Sequence, residues 1–149
     1  MKPLRIGLLG IGTVGGGTFD VLTRNAEEIS RRAGRPITIT HVADKNTALA
    51  NQVVAGRAIV TDDAFGVVRN PDIDVVVELI GGYGVAKQLV LEAINNGKHV
   101  VTANKALLAL HGNEIFAAAR AKGVIVAFEA AVAGGIPIIK ALREGLVAN

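Results

Sequence analysis

The 149-residue chain has no cysteine and no tryptophan, a single tyrosine and four phenylalanines. Without cysteine there is no disulfide, no thiolate nucleophile and no thiolate-ligated metal, which fits a reducing compartment. Aromatic residues make up 3% of a chain that is 50% hydrophobic, so the core has to be assembled from Val, Ile, Leu and Ala. Aliphatic richness of this kind suits parallel strands buried on both faces. Charge imbalance is also small. The formal net charge is +3, and the basic residues are scattered apart from Arg31, Arg32 and Arg35. That cluster falls at the end of an expected helix, where it complements the negative pole of the helix dipole. No aromatic residues interleave with it, which argues against a nucleic-acid partner. No apolar stretch approaches the roughly 20 residues of a membrane helix without a Gly, Pro or charge. The N-terminus reads as a strand carrying a motif, not as a cleavable signal. The expectation is a cytoplasmic protein with no membrane partner, and the length suits one domain with one core.

What the chain does have is glycine, 18 residues of it, and the placement is informative. The apolar run Leu4–Leu9 flows directly into Gly10-Ile11-Gly12-Thr13-Val14-Gly15. A G-x-G-x-x-G motif alone is weak. Placed between a strand and a helix, it describes a dinucleotide-binding turn. Gly10 allows the tight turn, Gly12 lets a pyrophosphate approach the backbone, and Gly15 lets helix and strand pack closely. The leading N–H groups and positive dipole end of the helix then face the phosphates. The other reading is a merely structural turn between strand and helix.

Strand and helix patterns alternate along the rest of the sequence. After Leu4–Leu9 the pattern predicts a helix over Val14–Arg32, with Val21, Leu22 and Ile29 on its apolar face. A strand follows over Ile37–Ala43, then a short helix near Thr47–Ala50, a weak strand Ala58–Val60 and a short helix Asp63–Arg69. Asn70-Pro71 is a stop signal. Next come a strand Ile73–Leu79, a helix Val85–Asn96 closed by Gly97, a strand His99–Thr102, a helix Glu114–Lys122, a strand Val124–Phe128 and a final helix Pro137–Leu146 begun by proline. This alternation implies right-handed βαβ units. The expected fold is α/β: a Rossmann-type, doubly wound, mostly parallel sheet with helices on both faces. The final helix, with Ile138, Ile139, Leu142 and Leu146, has no polar tail after it and reads as a segment in search of a partner.

Ligands of such sheets bind outside the carboxyl ends of the strands, so those ends hold the candidate residues. Asp44, after the second strand, is placed to accept hydrogen bonds from the adenosine ribose and so favours NAD. Lys45 beside it offers a 2′-phosphate a charge and leaves NADP open. A plain turn pair is the bland alternative for both. Gly81, in Ile80-Gly81-Gly82, permits close backbone approach by a ligand or simply starts a flexible loop. Lys105, in Thr102-Ala103-Asn104-Lys105, would lie near the nicotinamide, where its ammonium holds a substrate oxygen or shuttles a proton. Thr102 and Asn104 supply partners that fix it. Glu129 is a carboxylate among apolar residues ahead of Gly134-Gly135-Ile136-Pro137, and either holds a cation with backbone carbonyls or caps the nearby helix. The histidines carry less: His41 lies within a strand, His99 precedes one and His111 sits in a turn. No two have metal-ligand spacing.

Taken together, Gly10–Gly17, Thr102–Leu108 and Glu129–Pro137 resemble homoserine dehydrogenase in motif, order and spacing, and the likeness runs over essentially the whole chain. The resemblance implies reversible interconversion of L-homoserine and L-aspartate 4-semialdehyde with NAD or NADP, on the route to threonine, methionine and isoleucine. It implies that Ile11, Gly12, Thr13 and Val14 bind the pyrophosphate. Thr102 and Lys105 would lie by the nicotinamide ribose and substrate, with Lys105 catalytic. Glu129 and the carbonyls of Val132, Gly134 and Ile136 would hold a sodium ion. The family has a further substrate-binding domain, which also forms its homo-oligomer interface. The expectation is therefore that residues 1–149 are the NAD(P)-binding domain, with the substrate and catalytic domain absent from this chain and little activity from the chain alone. The rival readings are another NAD(P)-dependent oxidoreductase, or a non-enzymatic dinucleotide sensor that needs Asp44 and the glycines but neither Lys105 nor Glu129.

Overall fold

The computed structural model describes residues 2–146. Six strands form one sheet: β1 (Leu4–Leu9), β2 (Ile37–Ala43), β3 (Ile59–Thr61), β4 (Val75–Glu78), β5 (His99–Thr102) and β6 (Val126–Ala127). Their spatial order is β3-β2-β1-β4-β5-β6, and every pair is parallel. The chain moves outward from β1 in one direction, then crosses back to β4 and moves outward in the other. The carboxyl ends of β1 and β4 therefore border a crevice, the switch point at which doubly wound sheets bind ligands.

Alternation along each strand divides the core in two. Ile6 and Leu8 of β1, Ile39 and Val42 of β2, and Val75 and Val77 of β4 point to one face. There they meet Phe19 of α1 (Thr13–Arg24) and Ala50 and Val54 of α3 (Thr47–Val54). Leu9, Val76, Val100 and Val126 point to the other face. That face is covered by α4 (Ala64–Arg69), α5 (Gly84–Asn95) and α6 (Lys105–Lys122). Gly7 sits where a Cβ would come within 2.6 Å of Val67 Cγ1, which lets α4 lie directly on β1. On the face of α1 and α3, the β4–β6 half remains an open apolar groove of about 780 Å³, floored by Val75, Val77, Val101 and Ala127.

Most expected elements are present, with several corrections. The long first helix is two: α1 ends at Arg24, and α2 (Ala26–Ala33) starts after Asn25. Its buried face is set by Gly15 and Phe19, whereas Val21 is largely exposed. Glu28 pairs with both Arg31 and Arg32, so the basic cluster is a solvated helix end. The α3 helix runs four residues further than expected, to Val54. The helix expected from Glu114 begins at Lys105, because Asn104 caps it by accepting from the Leu107 amide at 3.0 Å. His111 is thus mid-helix and not in a turn, while His99 opens β5. The strand expected over Val124–Phe128 is only Val126–Ala127. The final helix is a single turn, α7 (Ile138–Lys140), running into a wider turn at Ala141–Gly145. Its Leu142 and Leu146 are exposed. Among the described residues, no helix is long and apolar enough to cross a membrane.

Candidate dinucleotide site

The carboxyl edge of the sheet is built around Gly10–Gly15. Gly10 has a positive φ of 92°, and a Cβ there would come within 2.8 Å of the Leu79 carbonyl oxygen. A Cβ on Gly15 would lie 1.9 Å from the Gly10 carbonyl oxygen, so only glycine lets α1 start this close to β1. Gly12 is different in kind: no atom lies within 4 Å of its missing Cβ. The space beside it is open to solvent and leaves room for a ligand to approach the backbone. No side chain caps α1 at Gly12, and its leading N–H groups present the positive end of the helix dipole to the crevice.

Asp44 and the glycine turn are joined. The Ile11 amide donates to Asp44 Oδ2 at 2.7 Å, and the Asn46 amide donates to Oδ1 at 2.8 Å. Ile11 therefore serves the turn itself: its side chain is buried and its N–H is committed to Asp44. Of the residues expected at the pyrophosphate, Gly12, Thr13 and Val14 are exposed at the turn. Asp44 keeps spare lone pairs, since a carboxylate accepts about four bonds. It lines a cleft of about 520 Å³ together with Gly10, Gly12, Lys45 and Ile80. Lys45 is exposed at the mouth of that cleft.

The neighbouring half of the edge holds Gly81, Thr102 and Lys105. Gly81 and Gly82 both have positive φ, 80° and 69°, and both are exposed. Lys105 is exposed at the first position of α6. Thr102, by contrast, is fully buried and donates its hydroxyl proton to Glu78 Oε2 at 2.7 Å. Sequence reasoning missed Glu78, a wholly buried carboxylate at the end of β4. Its signal was a single charge in the apolar run Val75-Val76-Val77-Glu78-Leu79-Ile80.

Glu129 follows β6. Its Oε1 accepts from the Ile139 amide at 2.9 Å and its Oε2 from the Lys140 amide at 3.0 Å. The carboxylate thus binds the start of α7, the helix-capping alternative. Ala133 and Gly134, in the loop between them, have φ of 54° and 58°. Among the described residues, no three His, Cys, Asp or Glu side chains cluster as a metal site.

The opposite, amino-terminal edge carries a second polar cluster that serves the fold. The Arg5 amide donates to Asp74 Oδ2 at 2.8 Å, and the Arg5 guanidinium reaches Asp72 at 2.6 Å. Partial burial alone would raise the Asp74 carboxyl. The Arg5 amide and guanidinium outweigh it and hold the group below its ordinary value. Lys98 is buried with its ammonium donating to the carbonyls of Asn70 and Ile73, and burial lowers its affinity for the proton.

Parallel strands in this order, a glycine turn at the switch point and an acidic residue after β2 define an α/β dinucleotide-binding domain. Comparison with known proteins narrows the class. The family model described as homoserine dehydrogenase, NAD binding domain, matches residues 10–129, and the chain belongs to that family. It is 66% identical over its whole length to homoserine dehydrogenase of Pseudomonas aeruginosa, of which it covers 34%. It superimposes on a homoserine dehydrogenase structure from Thiobacillus denitrificans with a TM-score of 0.95 and 65% identity, covering all of this chain and 34% of that one. A hyperthermophilic archaeal homoserine dehydrogenase in complex with NADPH shares the fold, with a TM-score of 0.80 at 20% identity and coverage of 99% of this chain and 50% of that one. The chain spans about a third of the length of the curated relatives it matches.

Proposed function

We propose that this chain forms the cofactor half of a homoserine dehydrogenase, which interconverts L-homoserine and L-aspartate 4-semialdehyde in amino-acid biosynthesis. The observation that carries the reading is the juxtaposition, on one sheet edge, of the open Gly12 backbone, Asp44 and the exposed Lys105. Gly12, Thr13 and Val14 hold the pyrophosphate, Asp44 and Lys45 meet the adenosine ribose, and Gly81 approaches the cofactor with its backbone. When bound, the nicotinamide supplies the hydride acceptor for the alcohol or the hydride donor for the aldehyde. Lys105 holds the substrate oxygen and exchanges the proton that leaves or joins it. Asp44 favours NAD, because a carboxylate repels a 2′-phosphate, and Lys45 keeps NADP within reach.

The Glu129 loop suits a monovalent cation such as sodium. One carboxylate, already sharing its charge with two amides, and the carbonyls of Val132, Gly134 and Ile136 form a donor set of hard oxygens with low total charge. A cation there would brace the loop between β6 and α7. The protein acts in the cytoplasm as a homo-oligomer when joined to a substrate domain.

The test is Lys105→Ala in a two-domain protein of the relatives' length that carries this sequence. Turnover of homoserine should fall at least about 100-fold, corresponding to about 2.7 kcal/mol of lost transition-state stabilisation. Cofactor affinity should stay within about threefold. Full turnover in the variant would favour a dinucleotide sensor, which has no use for Lys105.

A further inference from the structure

Four polar or charged side chains are buried among the described residues: Glu78, Lys98, Thr102 and Asn104. Three of them form one network at the switch point. Glu78 and Thr102 are register partners on β4 and β5, and both point to the face covered by α5 and α6. Glu78 Oε1 accepts from two successive amides of its own loop, Ile80 at 2.9 Å and Gly81 at 3.3 Å. Its Oε2 accepts the Thr102 hydroxyl. Thr102 Oγ1 in turn accepts from the Asn104 amide at 3.0 Å. Asn104 Nδ2 returns to the first loop by donating to the Gly82 carbonyl, while its Oδ1 caps α6.

A fully buried carboxylate is costly unless every lone pair it turns inward is met. Packing does not require one at this position, since the three preceding β4 residues are valines. What the carboxylate does is lock two loops together. It holds Ile80 and Gly81 in the path that leads into two left-handed glycines. Through Thr102 and Asn104 it also fixes where α6, and hence Lys105, begins. Because the Thr102 proton is committed to Glu78, Thr102 has no hydroxyl donor left for a ligand.

We infer that Glu78 is a positioning residue for the nicotinamide half of the site, acting through Thr102 and Asn104 on the Gly81 backbone and on Lys105. The inference rests on the dinucleotide reading. It separates the two halves of the cofactor: the pyrophosphate and adenosine half is built by Gly10–Gly15 and Asp44, and the nicotinamide half by the Glu78 network.

The experiment compares Glu78→Ala, Glu78→Gln and Thr102→Val with the unmodified 149-residue chain. NADH and NADPH are titrated by the fluorescence of their dihydronicotinamide ring, and ADP by calorimetry. The ratio of dinucleotide to ADP affinity should fall at least tenfold in Glu78→Ala and in Thr102→Val, with ADP affinity held within threefold. Glu78→Gln keeps an acceptor for the Ile80 and Gly81 amides and should recover part of the ratio. A ratio unchanged in folded variants overturns the inference. So does an equal loss of both ligands with a lowered melting temperature, or failure of all three variants to fold, because each is the behaviour of a merely structural carboxylate. An unmodified chain that binds neither ligand overturns the dinucleotide reading itself, and this inference with it.

Discussion

Gly15 and Gly12 belong to the same motif, yet substitutions at the two should fail in opposite ways. At Gly15 a new methyl group would lie 1.9 Å from the Gly10 carbonyl oxygen, where ordinary contact begins near 3.4 Å. Neither partner is the far end of a flexible side chain. One is the backbone of the tight turn and the other the first turn of α1, so relief requires moving the helix off β1. Overpacking of this kind costs about 3 kcal/mol, the upper part of the usual range. At this size each kcal/mol moves the melting temperature by about 2–4 °C, so Gly15→Ala should lower it by about 6–12 °C. A domain with the usual stability of about 5–15 kcal/mol would remain folded. At Gly12 no atom lies within 4 Å of the missing Cβ and φ is −57°, so the Cβ of a valine meets no neighbouring atom. Its cost is at most about 1 kcal/mol, for a poorer residue at the helix start. Its isopropyl group, however, fills the path of the pyrophosphate. Affinity for NADH and NADPH should fall at least about 100-fold, or about 2.8 kcal/mol. Thermal melts and calorimetric titrations of both variants decide the matter. A Gly12→Val chain that binds within threefold of the unmodified one, or a Gly15→Ala chain with an unshifted melt, would refute this division of labour.

At the other sheet edge, Asp74 should make stability depend on acid. Its carboxyl is held below the ordinary 3.8 in the fold, so its contribution is complete above about pH 4 and is lost as the pH falls through the folded value. The Asp74→Asn variant should lose about 1 kcal/mol at pH 7, given partial exposure. Urea denaturation should show the difference shrinking in strong acid, and an equal loss at both pH values would contradict the assignment. Asp44→Ala should weaken NADH more than NADPH and also release the Ile11 amide, costing about 1–2 kcal/mol of stability. Unchanged affinities for both cofactors would mean that other residues read the adenosine end. The 149-residue chain, given homoserine with NAD or NADP, should show no appreciable rise in the absorbance of reduced nicotinamide. Among the described residues Lys105 is exposed, whereas enclosing a small substrate in a reactive geometry contributes about 7–11 kcal/mol in model systems. Turnover at rates typical of complete enzymes would mean that the catalytic groups have been misplaced.

The sheet was legible because its strands are short apolar runs divided by glycine, proline and asparagine. Leu4–Leu9, Ile37–Ala43 and His99–Thr102 were read to the residue, and the other three strands differ by one or two residues at either end. Helix starts set by a side-chain cap were harder to place. Asn104 was read as a partner for Lys105, but it begins α6 by accepting the Leu107 amide. Nothing in Lys105–Asn113 shows a clean amphipathic stripe, so periodicity could not extend the helix back to its cap. The break at Asn25 is of the same kind, since neither proline nor glycine marks it. The end of the chain was read as a long apolar helix because Ile138, Ile139, Leu142 and Leu146 have helical spacing. Tertiary packing that would stabilise such a helix is lacking among the described residues, and short amphipathic helices are marginal without it.

The site divides along similar lines. Places on the sheet edge were legible from residue type and spacing: Gly10, Gly12 and Gly15 in the turn after β1, Asp44 after β2 and Lys105 after β5. Residues whose role lies in a side-chain contact across strands were not. Asp44 holding the Ile11 amide joins positions 33 apart in sequence, and Glu78 holding Thr102 joins positions 24 apart. Each pairing exists only once β1, β2, β4 and β5 lie in register. The Ile11 amide shows the same limit: it is spent on a partner that only the folded sheet brings near. The same argument makes Glu78 the more informative of the two. A carboxylate at Asp44 is expected from the motif, and its contact with the turn refines a role already assigned. A carboxylate at Glu78 has no role in the glycine motif. Its burial is tolerated because it meets two loop amides and a hydroxyl at once, and those loops are the ones that end at Gly81 and Lys105.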